Sequence, residues 1–284
     1  MPELPEVETI RAGLEPHVAG RRVTGVHVLR DRAVRRQPGG APELASRIVG
    51  RSIRGADRRG KYLWLNLDDG GMLLVHLGMS GQLVIPGHDG DPHVRVLLEL
   101  DDGTRVAFRD QRTFGWMWAC DPAPSRHDGR IVPAPATHIA PDLLEATADD
   151  RRGPAALAHA MRRRTSGVKR VLLNQEVVSG IGNIYADEML WAAGIDGEVP
   201  ADGLGVRRLT RLLREGRAVM ERSIAAGGTS FDALYVHVNG ESGYFSRDLA
   251  VYGRAGEPCP RCGRPVARRS FMNRSSYLCP SCQR

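Results

Sequence analysis

The first twenty residues place apolar side chains at helical spacing. Apolar residues recur every three or four positions, at Val7, Ile10, Leu14 and Val18. This spacing puts them on one face of an α-helix, and the glycine that follows is a common helix stop. The pattern therefore predicts a helix over Pro2–Gly20.

Beyond Gly20 the apolar pattern changes to short continuous or alternating runs, which are typical of β-strands. The runs are VTGVHVLR, KYLWLNL, MLLVHLGM, VRVLLEL and TRVAFRD. Asp-Asp-Gly turns, at Asp68–Gly70 and Asp101–Gly103, separate two pairs of these runs, as in β-hairpins. The first half of the chain is thus predicted to be an antiparallel sandwich or barrel with a leading helix.

The composition changes between Cys120 and Gly153. Five prolines interrupt any regular pattern there, at Pro122, Pro124, Pro133, Pro135 and Pro141. We therefore place a linker at residues 121–140. The second half of the chain has the pattern of helices, predicted at 153–164, 168–178, 183–193 and 206–226.

The charge of the chain indicates a polyanionic partner. The formal charge is +7 and the pI about 9.5, and Val251–Arg284 holds seven arginines against one acid, Glu257. Such a local patch favours nucleic acid over a composition that is merely rich in arginine. No stretch approaches the roughly 18 apolar residues of a membrane helix, and the acidic start does not resemble a secretory signal. A cytoplasmic protein is expected.

Lysine is rare in this chain. Of 40 basic residues only two are lysines, Lys61 and Lys169. A compact ammonium and a guanidinium are not interchangeable. The two lysines are therefore candidate functional residues, with chance survival as the alternative.

Four of the five cysteines end the chain as CPRC and CPSC, separated by sixteen residues. This spacing is typical of a zinc site, and four thiolates close a tetrahedral shell, which makes the zinc structural. The predicted ligands are Cys259, Cys262, Cys279 and Cys282. Two disulfides are the alternative, which an intracellular chain disfavours. Cys120 is predicted to be a core residue.

Two further segments carry candidate nucleic-acid contacts. GRPVARRSFMNRSSYL, between the cysteine pairs, predicts a basic hairpin that projects Arg268, Arg269 and Arg274; a solubilising cap is the alternative. The Gly-rich turn SGIGN precedes a predicted helix, and backbone N–H groups at such a turn bind a phosphate. Asn183 is expected to cap that helix and to donate to the same phosphate. A plain tight corner would have the same sequence.

The N-terminus, MPELPEVET, combines Pro2 with the acids Glu3, Glu6 and Glu8. Removal of Met1 would leave Pro2 with a free amine, and α-amino groups titrate well below lysine and are more nucleophilic at neutral pH. Glu3 and Glu6 are then candidate general acids or bases. On these residues alone, a proline and acids that merely begin a helix are the simpler interpretation.

Six motifs in this order resemble those of the formamidopyrimidine-DNA glycosylase family: PELPEVE, HLGMSG, DQRTFG, SGIGNIYADE, VYGR and CPRC…CPSC. The resemblance spans essentially the whole chain. It implies an α+β fold in which a two-layer antiparallel β-sandwich with flanking helices (1–135) precedes a helix–two-turn–helix bundle (136–250) and a four-cysteine zinc-finger hairpin (251–284). It also implies an enzyme that removes oxidised purines from duplex DNA and then cuts the strand by β- and δ-elimination.

The resemblance further implies roles for single residues. The catalytic set comprises the Schiff-base nucleophile Pro2, the proton donor Glu3, Lys61 for β-elimination and Arg274 for δ-elimination. The residues that fill the gap left by the extruded nucleotide are Met79, Arg112 and Phe114. The other DNA contacts are His76, His93, Arg163, Lys169, Asn183 and Tyr252, and Glu6 contacts the lesion. A segment at 229–243 would close on the extruded base.

The resemblance implies one structural zinc ion, no catalytic cofactor, and a monomer that binds double-stranded DNA with oxidised bases or abasic sites. Two segments depart from the family pattern. Thr113 stands where relatives often have a second arginine before Phe114, and arginines occupy 162–164 where relatives have lysines. These departures leave the opposite-base preference open.

Three other functions are compatible with part of the sequence. An endonuclease VIII-like enzyme for oxidised pyrimidines shares the proline, Glu3 and the finger, but Leu4–Val7 and Phe114 favour the purine enzyme. A non-catalytic protein that binds DNA lesions would not need Pro2, Glu3 and Lys61. An RNA-associated zinc protein would explain the charge and the finger but not the opening motif.

Overall fold

The computed structural model describes residues 2–85, 90–145, 153–229 and 248–284. These residues form two compact units. The first contains the N-terminal residues up to His138 and a segment that begins at Ala226, and the second contains Ile139–Ala225 and the C-terminal residues to Arg284. No helix of the described ranges is long and apolar enough to cross a membrane. Of the segment predicted to close on the extruded base, only Thr229 lies among the described residues.

The first unit is mainly antiparallel sheet. Its helices are α1 (Leu4–Val18) and α2 (Gly40–Ile48), and 3₁₀ turns lie at Asp31–Val34 and Ala134–Ala136. Its strands are β1 (Val23–Val28), β2 (Ile53–Arg59), β3 (Tyr62–Leu67), β4 (Met72–His76), β5 (Gln82–Val84), β6 (Val94–Leu100), β7 (Arg105–Arg109), β8 (Trp116–Cys120), β9 (Pro122–Pro124) and β10 (Ile131–Pro133). One four-stranded sheet has the order β1-β6-β7-β5, and the other has the order β2-β3-β4-β8.

Both sheets and α1 contribute to one apolar core. The side chains of Leu14, Leu63 and Phe108 are fully buried in it, and they come from α1, β3 and β7 respectively. The predicted helix and the predicted antiparallel sandwich are therefore confirmed. Both Asp-Asp-Gly turns close hairpins, with Gly70 and Gly103 at positive φ (89° and 85°), a conformation that glycine adopts without steric cost.

The sequence pattern did not predict β2, because IRGADRR lacks the apolar alternation of a half-buried strand. Arg58 and Arg59 are nevertheless 7% and 0% exposed. Arg58 pairs with Glu8 at 2.6 Å, and Arg59 pairs with Asp128 at 2.6 Å. Ion pairs thus accompany the apolar burial of Ile53 and Ala56 on this strand, since a buried charge requires a partner.

The predicted structureless linker was wrong in part. Residues 122–124 and 131–133 form a short antiparallel hairpin, in which Pro122 pairs with Pro133 and Pro124 with Ile131. Proline is tolerated in edge strands because its missing N–H group need not face a neighbour. A two-stranded sheet consists only of edges, so the prolines are compatible with it.

The second unit contains four described helices and a C-terminal hairpin. The helices are α3 (Pro154–Arg162), α4 (Val168–Leu172), α5 (Asn183–Ala193) and α6 (Val206–Ala225), and the hairpin strands are β11 (Ala267–Phe271) and β12 (Arg274–Leu278). α4 is shorter than predicted. The side chain of Asn174 accepts a hydrogen bond from Glu176 N at 3.0 Å, and such local bonds compete with helix continuation.

Candidate active site and nucleic-acid contacts

The N-terminal motif builds the first turn of α1. Glu3 is the N-cap, and it forms a capping box with Glu6, whose Oε2 accepts a hydrogen bond from Glu3 N at 2.8 Å. Pro5 lies in the first turn, and Pro2 is buried. Helix initiation thus accounts for part of the motif. The same arrangement fixes the backbone beside the predicted nucleophile.

Glu6 links the N-terminus to Thr229. Its Oε1 accepts hydrogen bonds from Thr229 N at 2.9 Å and from Thr229 Oγ1 at 2.7 Å. Glu6 is 3% exposed, and its carboxylate binds two separate parts of the chain at once, Glu3 and Thr229. The contact with the lesion that we predicted for Glu6 stays a prediction, but the structure gives this residue a second role in holding Glu3 in place.

Lys61 lies in a two-residue hairpin turn between β2 and β3. Arg59 pairs with Tyr62 across the turn, and Gly60 has a φ of 55°, as a glycine-first hairpin turn requires. The guanidinium of the buried Arg59 donates to both carboxylate oxygens of Asp128, at 2.6 and 3.1 Å. This ion pair fixes the strand end that presents Lys61.

His76 faces Tyr62 across β3 and β4 and is held in its neutral form. Its ring stacks on Trp116 with centroids 5.4 Å apart, and its Nδ1 accepts a hydrogen bond from Gly78 N at 3.2 Å. Burial, followed by the charges of Lys61 and Arg35, lowers the pKa of His76 to about 4. Because Nδ1 is an acceptor, the remaining proton lies on Nε2, which can donate to a phosphate.

The low pKa of His76 predicts a pH-dependent stability. Unfolding returns the ring to its ordinary pKa of about 6.5, so the unfolded state takes up a proton between pH 6.5 and 4 that the folded state does not. The free energy of unfolding therefore falls as the pH is lowered through this window, and the contribution is fully present above it. Urea unfolding should show a smaller pH slope for His76→Gln. An identical slope in both proteins would contradict the assignment.

The HLGMSG and DQRTFG segments form two adjoining loops that follow β4 and β7. Met79 and Phe114 are 43% and 39% exposed although both are large and apolar. The guanidinium of the exposed Arg112 lies over the Phe114 ring, 4.9 Å from its centroid. An apolar and cationic cluster of this kind is suited to insertion beside stacked bases. We name Met79, Arg112 and Phe114 the wedge cluster.

Asp110 joins the HLGMSG and DQRTFG loops through hydrogen bonds. It is fully buried; its Oδ1 accepts from Ser80 Oγ at 2.5 Å and from Arg112 N at 3.2 Å, and its Oδ2 accepts from Gly115 N at 2.7 Å. The loops also touch through backbone, because a Cβ on Gly78 would lie 2.5 Å from Gly115 N. The carbonyl oxygen of His93, another predicted DNA contact, accepts a hydrogen bond from Asp110 N at 2.9 Å.

Two arginines that the sequence did not single out support the DQRTFG loop. Arg35 donates to the carbonyl oxygens of Phe114 and Gly115, both at 2.7 Å, and Arg32 donates to that of Thr113 at 3.3 Å. Thr113 has a φ of 53°, which is strained for a β-branched residue. The guanidinium groups stabilise a backbone path that the threonine alone disfavours. Nothing in the local sequence pattern signals these contacts, since the partners are about 80 residues away.

In the second unit, α5 carries the residues that organise the remaining predicted contacts. Asn183 is the first helical residue, and Gly182 is the N-cap, so the predicted capping role was wrong by one position. Asn183 Nδ2 donates to Ser275 O at 2.8 Å. The buried carboxylate of Glu188 accepts hydrogen bonds from Val251 N at 2.9 Å and from Tyr252 N at 2.8 Å, both at Oε1. Glu188 therefore positions Tyr252, a role that the motif did not reveal.

The other predicted contacts of this unit differ in exposure. Arg163 follows α3 and is exposed, and Arg274 is exposed at the first position of β12. Lys169 is 1% exposed, and its Nζ lies 2.6 Å from Asp187 Oδ1. The structure thus gives Lys169 a carboxylate partner, and the DNA contact predicted for it stays a prediction.

The four C-terminal cysteines fit one tetrahedral zinc. Their sulfur atoms all lie within 4.8 Å of one another; Cys262 and Cys279 are 3.5 Å apart, and Cys259 and Cys282 are 4.0 Å apart. Four sulfurs about 2.3 Å from a tetrahedral zinc are about 3.8 Å apart. Trp191 Nε1 donates to Cys259 Sγ at 3.3 Å, as outer-shell donors to zinc thiolates do. All five cysteines of the chain are described, and none forms a disulfide.

Comparison with protein families covers nearly the whole chain. Residues 1–117 match the formamidopyrimidine-DNA glycosylase N-terminal domain, 140–234 match the formamidopyrimidine-DNA glycosylase H2TH domain, and 256–284 match the zinc finger found in FPG and IleRS. The formamidopyrimidine-DNA glycosylase of Nocardia farcinica is 54% identical over 294 residues, which cover 100% of this chain and 98% of the relative.

The chain belongs to the formamidopyrimidine-DNA glycosylase family. The enzyme of that name from Mycobacterium avium is 52% identical over 285 residues, with 100% of this chain and 98% of the relative covered.

Solved structures agree with the family assignment. The MutM (Fpg) protein of Thermus thermophilus has a TM-score of 0.82 and 32% identity, with 99% of this chain and 98% of that chain covered. The Lactococcus lactis Fpg in complex with DNA that contains an abasic site has a TM-score of 0.82 and 29% identity, with 99% of each chain covered. The predicted fold class and the structural zinc are therefore those of the family.

Proposed function

We propose that this chain is a DNA glycosylase that removes 8-oxoguanine and formamidopyrimidines from duplex DNA and then cuts the strand as an abasic-site lyase. The observation that carries the proposal is the buried Pro2–Glu3 pair at the start of α1, in a chain that matches formamidopyrimidine-DNA glycosylases over its full length. A binding protein would need neither a proline amine nor an acid at this point.

The proposed chemistry begins once Met1 has been removed. The amine of Pro2 attacks C1′ of the damaged nucleoside, the bond from C1′ to the base breaks, and the base departs with the proton that the Pro2 nitrogen gives up. Glu3 then protonates the sugar ring oxygen, and the bond from C1′ to that oxygen breaks, which opens the ring. The product is an iminium ion on Pro2. The positive charge of the iminium ion makes the proton on the neighbouring carbon C2′ more acidic. The strand can then be cleaved by elimination.

Two eliminations then follow from the iminium ion. Loss of the C2′ proton expels the 3′ phosphate, and loss of the C4′ proton expels the 5′ phosphate. Water finally hydrolyses the iminium, which frees Pro2 and the sugar remnant. We assign Lys61 to the first elimination and Arg274 to the second, because Lys61 presents its cation from a hairpin turn and Arg274 from the first position of a hairpin strand.

The reaction requires that the damaged nucleotide leave the base stack, because C1′ and the base are inaccessible inside a duplex. We assign the wedge cluster to the gap that this leaves. Its apolar and cationic side chains are exposed, and Asp110 fixes the loop backbone that carries two of them. His76, His93, Arg163, Asn183 and Tyr252 are proposed to contact the DNA backbone around the lesion, and Glu6 to contact the lesion itself.

The proposed setting follows from the substrate. An enzyme of chromosomal DNA works in the cytoplasm of a bacterial cell, as a monomer on double-stranded DNA. The finger and its basic side chains would bind the phosphates near the lesion.

Excision from matched duplexes tests the proposal. Protein is incubated with duplexes that carry 8-oxoguanine opposite cytosine or thymine glycol opposite adenine, and products are resolved by size. We expect faster release of 8-oxoguanine, with strand cleavage. Cleavage confined to thymine glycol would favour the endonuclease VIII-like alternative, and an absence of cleavage on both duplexes would leave only lesion binding.

Arg112→Ala tests the wedge cluster. We expect at least about a tenfold loss of affinity and excision on the lesion duplex, because unstacking a base step costs on the order of a few kcal/mol. Binding to a single strand with an abasic site should change little, since no stack needs support there. Arg54→Ala, which removes an exposed arginine from β2, is the charge-matched control. Equal losses on both substrates would remove the gap-filling role.

A further inference from the structure

Resting on the proposed function, we infer that Asp187 and Lys169 are positioning residues for Arg274, and that they act on δ-elimination through the register of the finger hairpin. Neither residue touches DNA in this assignment. Their side chains fix the strand that begins with Arg274.

Helix α5 holds β12 by hydrogen bonds. Three consecutive residues after Arg274 are held by side chains of this helix. Asn183 Nδ2 donates to Ser275 O at 2.8 Å. Asp187 accepts from Ser276 Oγ at Oδ1 and from Tyr277 N at Oδ2, both at 2.9 Å. Asn183 and Asp187 are one helical turn apart, so they lie on the same face.

Lys169 links this contact to β11. Its Nζ lies 2.6 Å from Asp187 Oδ1 and 4.5 Å from the centroid of the Phe271 ring. Phe271 is the residue that pairs directly with Arg274 across the hairpin, and it is 5% exposed. One buried ammonium therefore connects the carboxylate that holds β12 with the ring that anchors β11.

The surroundings of Lys169 favour a lysine over an arginine at this position. A Cβ on Gly197 would lie 2.9 Å from Lys169 Cβ, and Lys169 N donates to Gly197 O at 3.0 Å. The site is closed on that side. A compact ammonium can contact a carboxylate and a ring face at once, whereas a planar guanidinium is larger and prefers paired contacts.

Of the catalytic candidates, Arg274 is the one whose position depends on β12. Arg274 is exposed and follows the two-residue turn Met272–Asn273, so its guanidinium is placed by the strand behind it. A displacement of about 1 Å can cost about a hundredfold in rate at a reacting centre. Loosening β12 should thus impair the step that uses Arg274 and spare the steps that use Pro2 and Lys61.

The test compares Asp187→Asn with wild type on a 5′-labelled duplex that contains one abasic site. Single-turnover products separate β-elimination, which leaves a 3′ unsaturated aldehyde, from δ-elimination, which leaves a 3′ phosphate. We expect the ratio of δ to β product to fall by about tenfold or more, with borohydride trapping at wild-type level. Arg274→Ala gives the lowest ratio of δ to β product, the one expected when the Arg274 side chain is absent.

Asp196→Asn is the matched control, because Asp196 Oδ2 pairs with Arg269 of β11 at 2.7 Å, whereas Asp187 accepts its hydrogen bonds from β12. It should keep the wild-type ratio. Loss of both products together, or an unchanged ratio in zinc-loaded Asp187→Asn, would overturn the inference.

If Asp187→Asn loses zinc, the same ratio of δ to β product is measured in the charge-balanced double variant Lys169→Met/Asp187→Asn. A low ratio supports positioning, and a wild-type ratio overturns it. A wild type that cuts no strand would overturn the proposed function as well.

Discussion

Replacing Pro2 by glutamate is expected to lower strand cutting at 8-oxoguanine by at least about 10³-fold, a conservative figure beside the ~10⁶-fold cost of deleting a nucleophile in a serine protease. Methionine aminopeptidases remove Met1 only before small residues, so Pro2→Glu retains Met1. The free amine then moves one residue away from the capping box of Glu3 and Glu6 that fixes the chain start. The measurement is single-turnover cleavage, with the N-terminus checked by mass spectrometry.

Pro2→Gly provides the control for this result. It permits removal of Met1 and keeps a free α-amine at the same position, so it should retain more activity than Pro2→Glu. Thermal unfolding of each variant shows whether α1 still forms. Wild-type cleavage by folded Pro2→Glu with Met1 present would contradict the nucleophilic role of the proline.

Removal of zinc is expected to lower affinity for lesion duplex by at least about a hundredfold while the first unit stays folded. Zinc contributes about 10 kcal/mol or more to the folding of small Cys-rich modules. The apolar cluster around the finger is small, with Val251, Val266, Cys259 and Cys279 as its buried members. Without the metal, this cluster cannot hold β11 and β12. Fluorescence anisotropy measures the affinity.

Trp191 provides a local signal for the same experiment, because its indole donates to Cys259 Sγ. Its emission should change on chelation and recover when zinc is returned. Protease resistance of the first unit should persist, since its core is separate from the finger. Cys120→Ala is the control, as this thiol is buried in the first unit. Unchanged DNA affinity in protein verified to be free of zinc would contradict the role of the finger.

The elements that were predictable share one property, namely that their signal is local. α1, β3, β6 and the Asp-Asp-Gly hairpins follow from the spacing of apolar residues and from turn glycines. The zinc site follows from cysteine spacing, because two thiolates three positions apart in sequence can bind one metal. The finger hairpin was likewise predicted, and its strands are β11 and β12.

The elements that were missed depend on partners far along the chain. β2 is buried through Arg59, whose partner Asp128 lies 69 positions away. Arg35 supports a loop 79 positions away. A periodicity argument cannot identify such pairs, because the pattern of either segment alone is that of a polar surface.

The partner of Lys169 was likewise not predictable from the local sequence. The rarity of lysine in the chain singled out this position, and the family pattern predicts a DNA contact there. The side chain is 1% exposed and lies beside Asp187, which the sequence did not indicate. Composition identifies a constrained residue but does not show whether the constraint comes from a ligand or from packing.

The central claim is that Pro2 forms the covalent bond to the lesion sugar. Borohydride reduction traps that bond on a duplex with one 8-oxoguanine opposite cytosine, and mass mapping locates it. We expect the cross-link on Pro2 of protein that lacks Met1, with β- and δ-elimination products in the untrapped reaction. A cross-link on Lys61, or no cross-link and no cleavage by protein with Met1 confirmed absent, would contradict the account.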